Sequence, residues 1–118
     1  MYEKEHIWIN KIMDVNFADK KILSEQLAVS FFLRDQGYDY ISIKFVLEKE
    51  VELYPHRIRV PVLMKAIQKP ATPVLFLLHV IDGIINELEI ITADSTLINE
   101  DCISIDNVEY EVNREVMV

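Results

Sequence analysis

Residues 73–95 read PVLFLLHVIDGIINELEIITADS, two apolar runs joined at Asp82-Gly83, and the reading of that joint decides the fold. An Asp-Gly pair between hydrophobic runs signals a two-residue hairpin, because a type I′ turn requires positive φ at both central positions. Glycine adopts positive φ without steric cost, and aspartate tolerates it. With Asp82 and Gly83 as the loop, ideal antiparallel pairing sets Ile81 opposite Ile84, His79 opposite Asn86, Leu77 opposite Leu88 and Leu75 opposite Ile90 on one face. The other face then holds Val80 with Ile85, Leu78 with Glu87, Phe76 with Glu89 and Val74 with Ile91. On this pairing the first face is core, while Glu87 and Glu89 project from the opposite one, away from His79.

Downstream of the hairpin, residues 93–101 are polar and acidic and read as a loop. A second hairpin is expected about Asp106-Asn107, with strands over 102–106 and 108–113. Ile103, Ile105, Val108, Tyr110 and Val112 would face the core, and Ser104, Glu109 and Glu111 would face out. Upstream, residues 63–73 contain Pro70 and Pro73 and read as a connection. Residues 57–62 alternate Arg57 and Arg59 with Ile58, Val60 and Val62, which predicts a strand, at an edge or bulge because Pro61 lacks an N–H. The two arginines would pair with Glu87 and Glu89 across neighbouring strands, or grip a phosphate or carboxylate.

Residues 40–51 alternate Ile41, Ile43, Phe45 and Leu47 against Ser42, Lys44, Val46 and Glu48, which describes a strand with one wet face. Before Gly37 the period is nearer four. Asp19 is placed as an N-cap and Gly37 as a C-terminal cap for a helix over 20–36, with Ile22, Leu23, Leu27 and Phe31 on a wide apolar stripe that Phe32 and Leu33 extend. A shorter amphipathic helix is expected over 5–15, where Trp8 packs on the body of the domain. Helices first and strands in short succession afterwards predict one α+β domain over residues 1–118, its two helices packed on an antiparallel β-meander of strands 40–51, 57–62, 74–81, 84–92, 102–106 and 108–113.

The chain has 118 residues with a hydrophobic fraction of 51%, enough to bury roughly 65% of its unfolded surface without a disulfide or metal. Its single cysteine, Cys102, has no internal partner and suits a reducing compartment. The N-terminal residues lack the apolar run of a signal peptide, and Asp82, Glu87 and Glu89 interrupt the longest apolar stretch. A cytoplasmic protein without membrane contact is expected. The net charge of −8 is unevenly placed. Residues 1–69 hold eleven bases against ten acids, and residues 70–118 hold Arg114 against ten acids. Such a surface repels phosphate, which excludes nucleic acid as a partner, and favours a basic protein.

The run from His79 to Ser95, preceded by Arg59-Val-Pro-Val62 and Tyr40-Ile-Ser-Ile43, resembles a group of small uncharacterised bacterial proteins sharing an LHVxDGxxxELEIxxxDS hairpin. Some of that group look like immunity partners of secreted toxins. The likeness spans residues 40–98 and carries no catalytic motif. Residues 63–71 depart from it in lacking an Asp-rich turn before the hairpin, which puts the identity of any partner contacted there in doubt.

Two glycines in the chain leave no phosphate-cradling loop. Ser95 lacks a nucleophile elbow, and Cys102 has no base near it in sequence. His79, Glu87, Glu89 and Asp94 are the right residue types for a metal or acid–base site, but the pairing above turns His79 from the carboxylates, so no metal, cofactor or catalytic residue is assigned. The expectation is a non-enzymatic protein-binding module of the immunity type, with Glu87, Glu89, Asp94, Glu109 and Glu111 meeting a basic partner such as a toxin domain. The alternative is a small-ligand or catalytic domain with a pocket between the main helix and the sheet, lined by Phe31, Phe32, Tyr38 and Tyr40 and anchored by His79. A homodimer would follow if the Phe76 and Leu78 face were left open.

Overall fold

The computed structural model describes residues 3–118. Two helices, α1 (Glu3–Ile12) and α2 (Lys20–Ala28), precede six strands: β1 (Ser30–Gln36), β2 (Tyr40–Leu47), β3 (Val62–Gln68), β4 (Thr72–Ile81), β5 (Ile84–Thr92) and β6 (Ile103–Val112). All strand pairs are antiparallel, in the order β1-β2-β5-β4-β3-β6. The fold is α+β with both helices on one face of the sheet. Only β3-β4-β5 runs as a simple meander: the chain leaves β2 by a long loop over 48–61, and β5 returns to close on β2.

The main helix ends eight residues earlier than its apolar stripe suggested. Residues 30–36 continue as β1, because Phe31 and Leu33 face one way and Phe32 and Arg34 the other, a period of two that a helix reading of the same apolar run conceals. Gly37 consequently sits in the β1–β2 turn, where its N–H donates to Tyr40 O at 3.0 Å. Asp19 does precede α2, but its φ of 58° is left-handed and its side chain makes no cap. It meets His56 Nε2 at 2.8 Å instead.

Residues 57–61 are loop rather than strand, and the connection expected at 63–73 contains β3. Proline does not interrupt β3 because Pro61 and Pro70 flank it on either side. Arg57 and Arg59 therefore do not stand beside Glu87 and Glu89, and neither arginine has an ion-pair partner among the described residues. The turn expected at Asp106-Asn107 is a bulge within one strand. Lys65 of β3 pairs with Glu109 and Ile67 with Ser104, so the residues between are extra on β6. Ile103, Ile105, Val108, Tyr110 and Val112 all lie against the core as expected.

Asp82 and Gly83 do form the β4–β5 turn, with φ of 53° and 77°. One turn further, the ladder shifts: Val80 pairs with Ile85, but His79 pairs with Glu87, leaving Asn86 as an inserted residue. Beyond it Leu78 faces Leu88, Leu77 faces Glu89 and Phe76 faces Ile90. The one-residue slip exchanges the faces of β4 relative to the ideal pairing. Val74, Phe76, Leu78 and Val80 are the core residues, with Ile85, Leu88 and Ile90, all under 4% exposed. Leu75, Leu77 and His79 look the other way. The buried layer is completed by Ile41, Ile43, Phe45, Val62 and Met64 from the sheet and by Trp8, Ile12 and Leu23 from the helices. The Trp8 ring stands edge-on to Phe76, centroids 6.0 Å apart.

The loop over 48–61 is tied back to the turn. Tyr54 N–H donates to Gly83 O at 2.8 Å and Val80 N–H to Arg59 O at 2.7 Å. Gln26 of α2 reaches into the same place: its Nε2 donates to Glu52 O and Gly83 O at 2.8 and 2.9 Å, and its Oε1 accepts from Ile85 N at 2.7 Å. No helix among the described residues is long and apolar enough to cross a membrane.

Candidate protein-docking face

Both helices cover the Phe76 face, and no described element covers the opposite one. Strand pairing orders that open face into rows. The first runs Leu33, Lys44, Glu87, His79 across β1, β2, β5 and β4. A second runs Asp35, Ser42, Glu89, Leu77, Leu63, Glu111 across all six strands. A third runs Tyr40, Ile91, Leu75, Lys65, Glu109 from β2 to β6. Glu87, Glu89, Glu109 and Glu111 thus share one surface, flanking an apolar floor of Leu63, Leu75, Leu77 and Ile91. Phe31 and Leu33 extend the apolar area to the β1 edge, at 46% and 60% exposure.

Asp94 does not join this set. It lies past the end of β5, where its Oδ1 accepts from Thr96 Oγ1 at 2.7 Å in a local turn. His79 does join it, against the expectation from ideal pairing. The slip at Asn86 carries the imidazole onto the carboxylate side, with Nε2 2.8 Å from Glu89 Oε1. His79 Nδ1 is buried without a hydrogen-bond partner. Next to this pair the buried Ser42 Oγ donates to Glu87 Oε2 at 2.6 Å. The serine hydroxyl goes to a different carboxylate from the histidine, so Ser42 and His79 are not a nucleophile and its base. Among the described residues no group of three His, Cys, Asp or Glu is placed to hold a metal ion.

The remaining charges on this face are held apart. Neither Lys44 nor Lys65 forms an ion pair among the described residues, and Glu109 and Glu111 have no partner there either. The charge of Asp35, followed by burial and a 3.3 Å hydrogen bond to its carboxylate, raises the Tyr40 phenol above its ordinary range.

The set proposed to line a pocket does not converge. A cleft of about 440 Å³ lies between the helices and the sheet, bordered by His6, Met13, Leu27, Phe32 and Phe45. Of the expected residues only Phe32 reaches it. Phe31, Tyr40 and His79 are on the open face, and Tyr38 is in the β1–β2 turn.

The apolar floor at Leu63, Leu75, Leu77 and Ile91 was hidden from sequence reasoning, since a strand apolar on both faces carries no mark of which one is covered. The ion-pair group Glu5, Arg34 and Glu100, which joins α1, β1 and the loop after β5, has no local signal at all. Compared with known proteins, the chain matches no family model, no curated sequence and no solved structure.

Proposed function

We propose that the protein is a binding module that engages a basic protein partner through its open sheet face, in the manner of an immunity protein occluding a toxin domain. One observation carries this reading. Glu87, Glu89, Glu109 and Glu111 lie together around an apolar floor on the one sheet face that no helix covers. A docking surface needs both parts: an apolar centre supplies the burial, and surrounding charges steer the encounter and select the partner. Asp35 adds to the acidic rim, and Lys44 and Lys65 only partly offset it, so a partner rich in lysine and arginine is favoured. Asp94, outside the rows, contributes to the long-range field rather than to the contact.

The test is binding to the protein encoded by the neighbouring gene, followed in real time at low and moderate salt. Reversing Glu87 and Glu89 to lysine together is expected to slow association about tenfold at low salt while changing dissociation little, the signature of steering charges. The same loss should appear for Glu109 and Glu111, which lie on β6 of the same face, three strands from β5. Binding that is indifferent to all four reversals and to salt would sink the proposal.

A further inference from the structure

The loop over 48–61 and the β4–β5 turn enclose a cleft of about 590 Å³, whose border includes Leu53, His56, Arg57, Arg59, Ile81 and Asp82. Arg57 and Arg59 bring two positive charges to a chain of net charge −8, yet neither forms an ion pair among the described residues. Ile58 between them is buried while both arginines are exposed, so the loop is anchored through its middle residue and leaves the two guanidinium groups outside. The N–H groups of His56, Arg57, Ile58 and Arg59 likewise donate to no acceptor among the described residues. His56 differs, since its Nε2 lies 2.8 Å from Asp19 Oδ2 and any charge it gains is already answered. The loop is nevertheless held in place by Tyr54 N–H on Gly83 O, Val80 N–H on Arg59 O and Tyr54 O–H on Ala18 O. The arginines therefore stand on a fixed frame that a ligand does not have to order.

We infer that this cleft binds a small phosphomonoester, its phosphate held by Arg57 and Arg59 and its organic body resting on Leu53 and Ile81. The donors select the head group. One guanidinium fork engages both oxygens of a carboxylate, which leaves the second arginine without a role. A phosphate monoester offers three terminal oxygens and a charge of about −1.5 to −2 at neutral pH, which two arginines balance. The apolar half of the cleft selects the body. Leu53 and Ile81 are 56% and 37% exposed, and Leu53 closes on the turn, its Cβ 3.1 Å from where a Cβ on Gly83 would stand. An apolar group laid across them removes that surface from water. Asp82 is the one carboxylate on the border of the cleft. It repels any second anionic group, so the site suits a single phosphate rather than a polyphosphate or a nucleic-acid backbone.

The inference is independent of the acidic docking face and fails or survives separately. Titration of the isotope-labelled full chain with phenyl phosphate, followed by amide NMR shifts, is the experiment. Shifts are expected at residues 53–59 and 80–83, saturating at roughly millimolar ligand. Arg57→Gln and Arg59→Gln leave the fold intact, since both side chains are exposed and without ion pairs. Each should weaken binding about tenfold, and the double variant should remove it. Asp82→Asn keeps the turn, because Asn-Gly suits a type I′ turn as Asp-Gly does. It should tighten binding about two- to threefold by removing the opposing charge, a gain that a merely structural role for Asp82 would not produce. Benzoate, which has the ring but a carboxylate, and inorganic phosphate, which lacks the ring, should each bind at least about fivefold more weakly. No shift at residues 56–59 in about 20 mM phenyl phosphate, or a shift that survives the double substitution, overturns the proposal. Equal binding of benzoate overturns the choice of phosphate, and equal binding of inorganic phosphate overturns the place of Leu53 and Ile81.

Discussion

Gln26 is fully buried and spends its whole amide on backbone. Its N–H groups serve Glu52 O and Gly83 O, and its oxygen serves Ile85 N. One side chain on α2 thereby fixes the loop over 48–61 and the β4–β5 turn at once. Gln26→Leu keeps the volume and takes the partner from Glu52 O and Ile85 N, while Gly83 O keeps its bond from Tyr54 N–H. At about 1–3 kcal/mol for each buried group left unpaired, partly relieved by water, a loss of roughly 3 kcal/mol is expected in urea unfolding. Tyr54 sits beside this junction and donates to Ala18 O at 2.7 Å. Burial, aided by the charge of Asp19, pushes its phenol up to about 12. The unfolded chain releases that proton near pH 10, so the stabilisation is complete below pH 10 and is lost as pH rises toward 12. Tyr54→Phe should cost about 1 kcal/mol at neutral pH for the hydrogen bond and flatten the alkaline fall in the urea midpoint. A smaller slope should remain, because burial and then Asp14 also raise Tyr110.

At the level of elements, the β4–β5 hairpin shows how far local chemistry reaches. Its turn was legible from Asp82-Gly83 alone, since few residue pairs accept two positive φ values. Its faces were not, because Asn86 adds one residue to one strand and nothing about an isolated asparagine announces a bulge. That single insertion reversed the assignment of Leu75 and Leu77 against Phe76 and Leu78, and it brought His79 to the carboxylates. The boundary between α2 and β1 was hidden for a related reason: Phe31, Phe32 and Leu33 in succession satisfy a helical stripe and a strand equally well. Loop 48–61 was misread because Arg57 to Val60 alternates without strand pairing, the ladder beginning only at Val62; the loop's hydrogen bonds go to Gln26, Gly83 and Val80. Gly83 is where these elements meet. A Cβ there would lie 3.0 Å from Tyr54 O and 3.1 Å from Leu53 Cβ, at φ 77°. Gly83→Ala should therefore destabilise by about 1–3 kcal/mol through backbone strain and the displaced loop. In hydrogen exchange the amides of Tyr54 and Val80, both bonded between loop and hairpin, should lose protection before those of β2.

For the molecule as a whole, the sheet divides the chain into a half that holds the fold and a half free to meet something else. The charge imbalance of the sequence is distributed across that division: four glutamates on β5 and β6 stand on the open face, while Glu5 and Glu100 are used internally to hold Arg34. The net charge was readable from composition, but its sidedness required the strand order. Neighbouring residues of β4 therefore separate the two roles. Phe76→Ala opens a cavity at a fully buried position packed on Trp8 and should cost about 3–5 kcal/mol in unfolding experiments. Leu77→Ala, one residue along and on the open face, should cost about 1 kcal/mol of stability yet weaken partner binding roughly tenfold or more if Leu77 is part of the buried centre of the interface. Leu75→Ala should follow Leu77, and Leu78→Ala should follow Phe76. Stability and affinity measured on these four variants should alternate in opposite phase along the strand. If affinity instead follows stability at every position, the open face is not the docking surface.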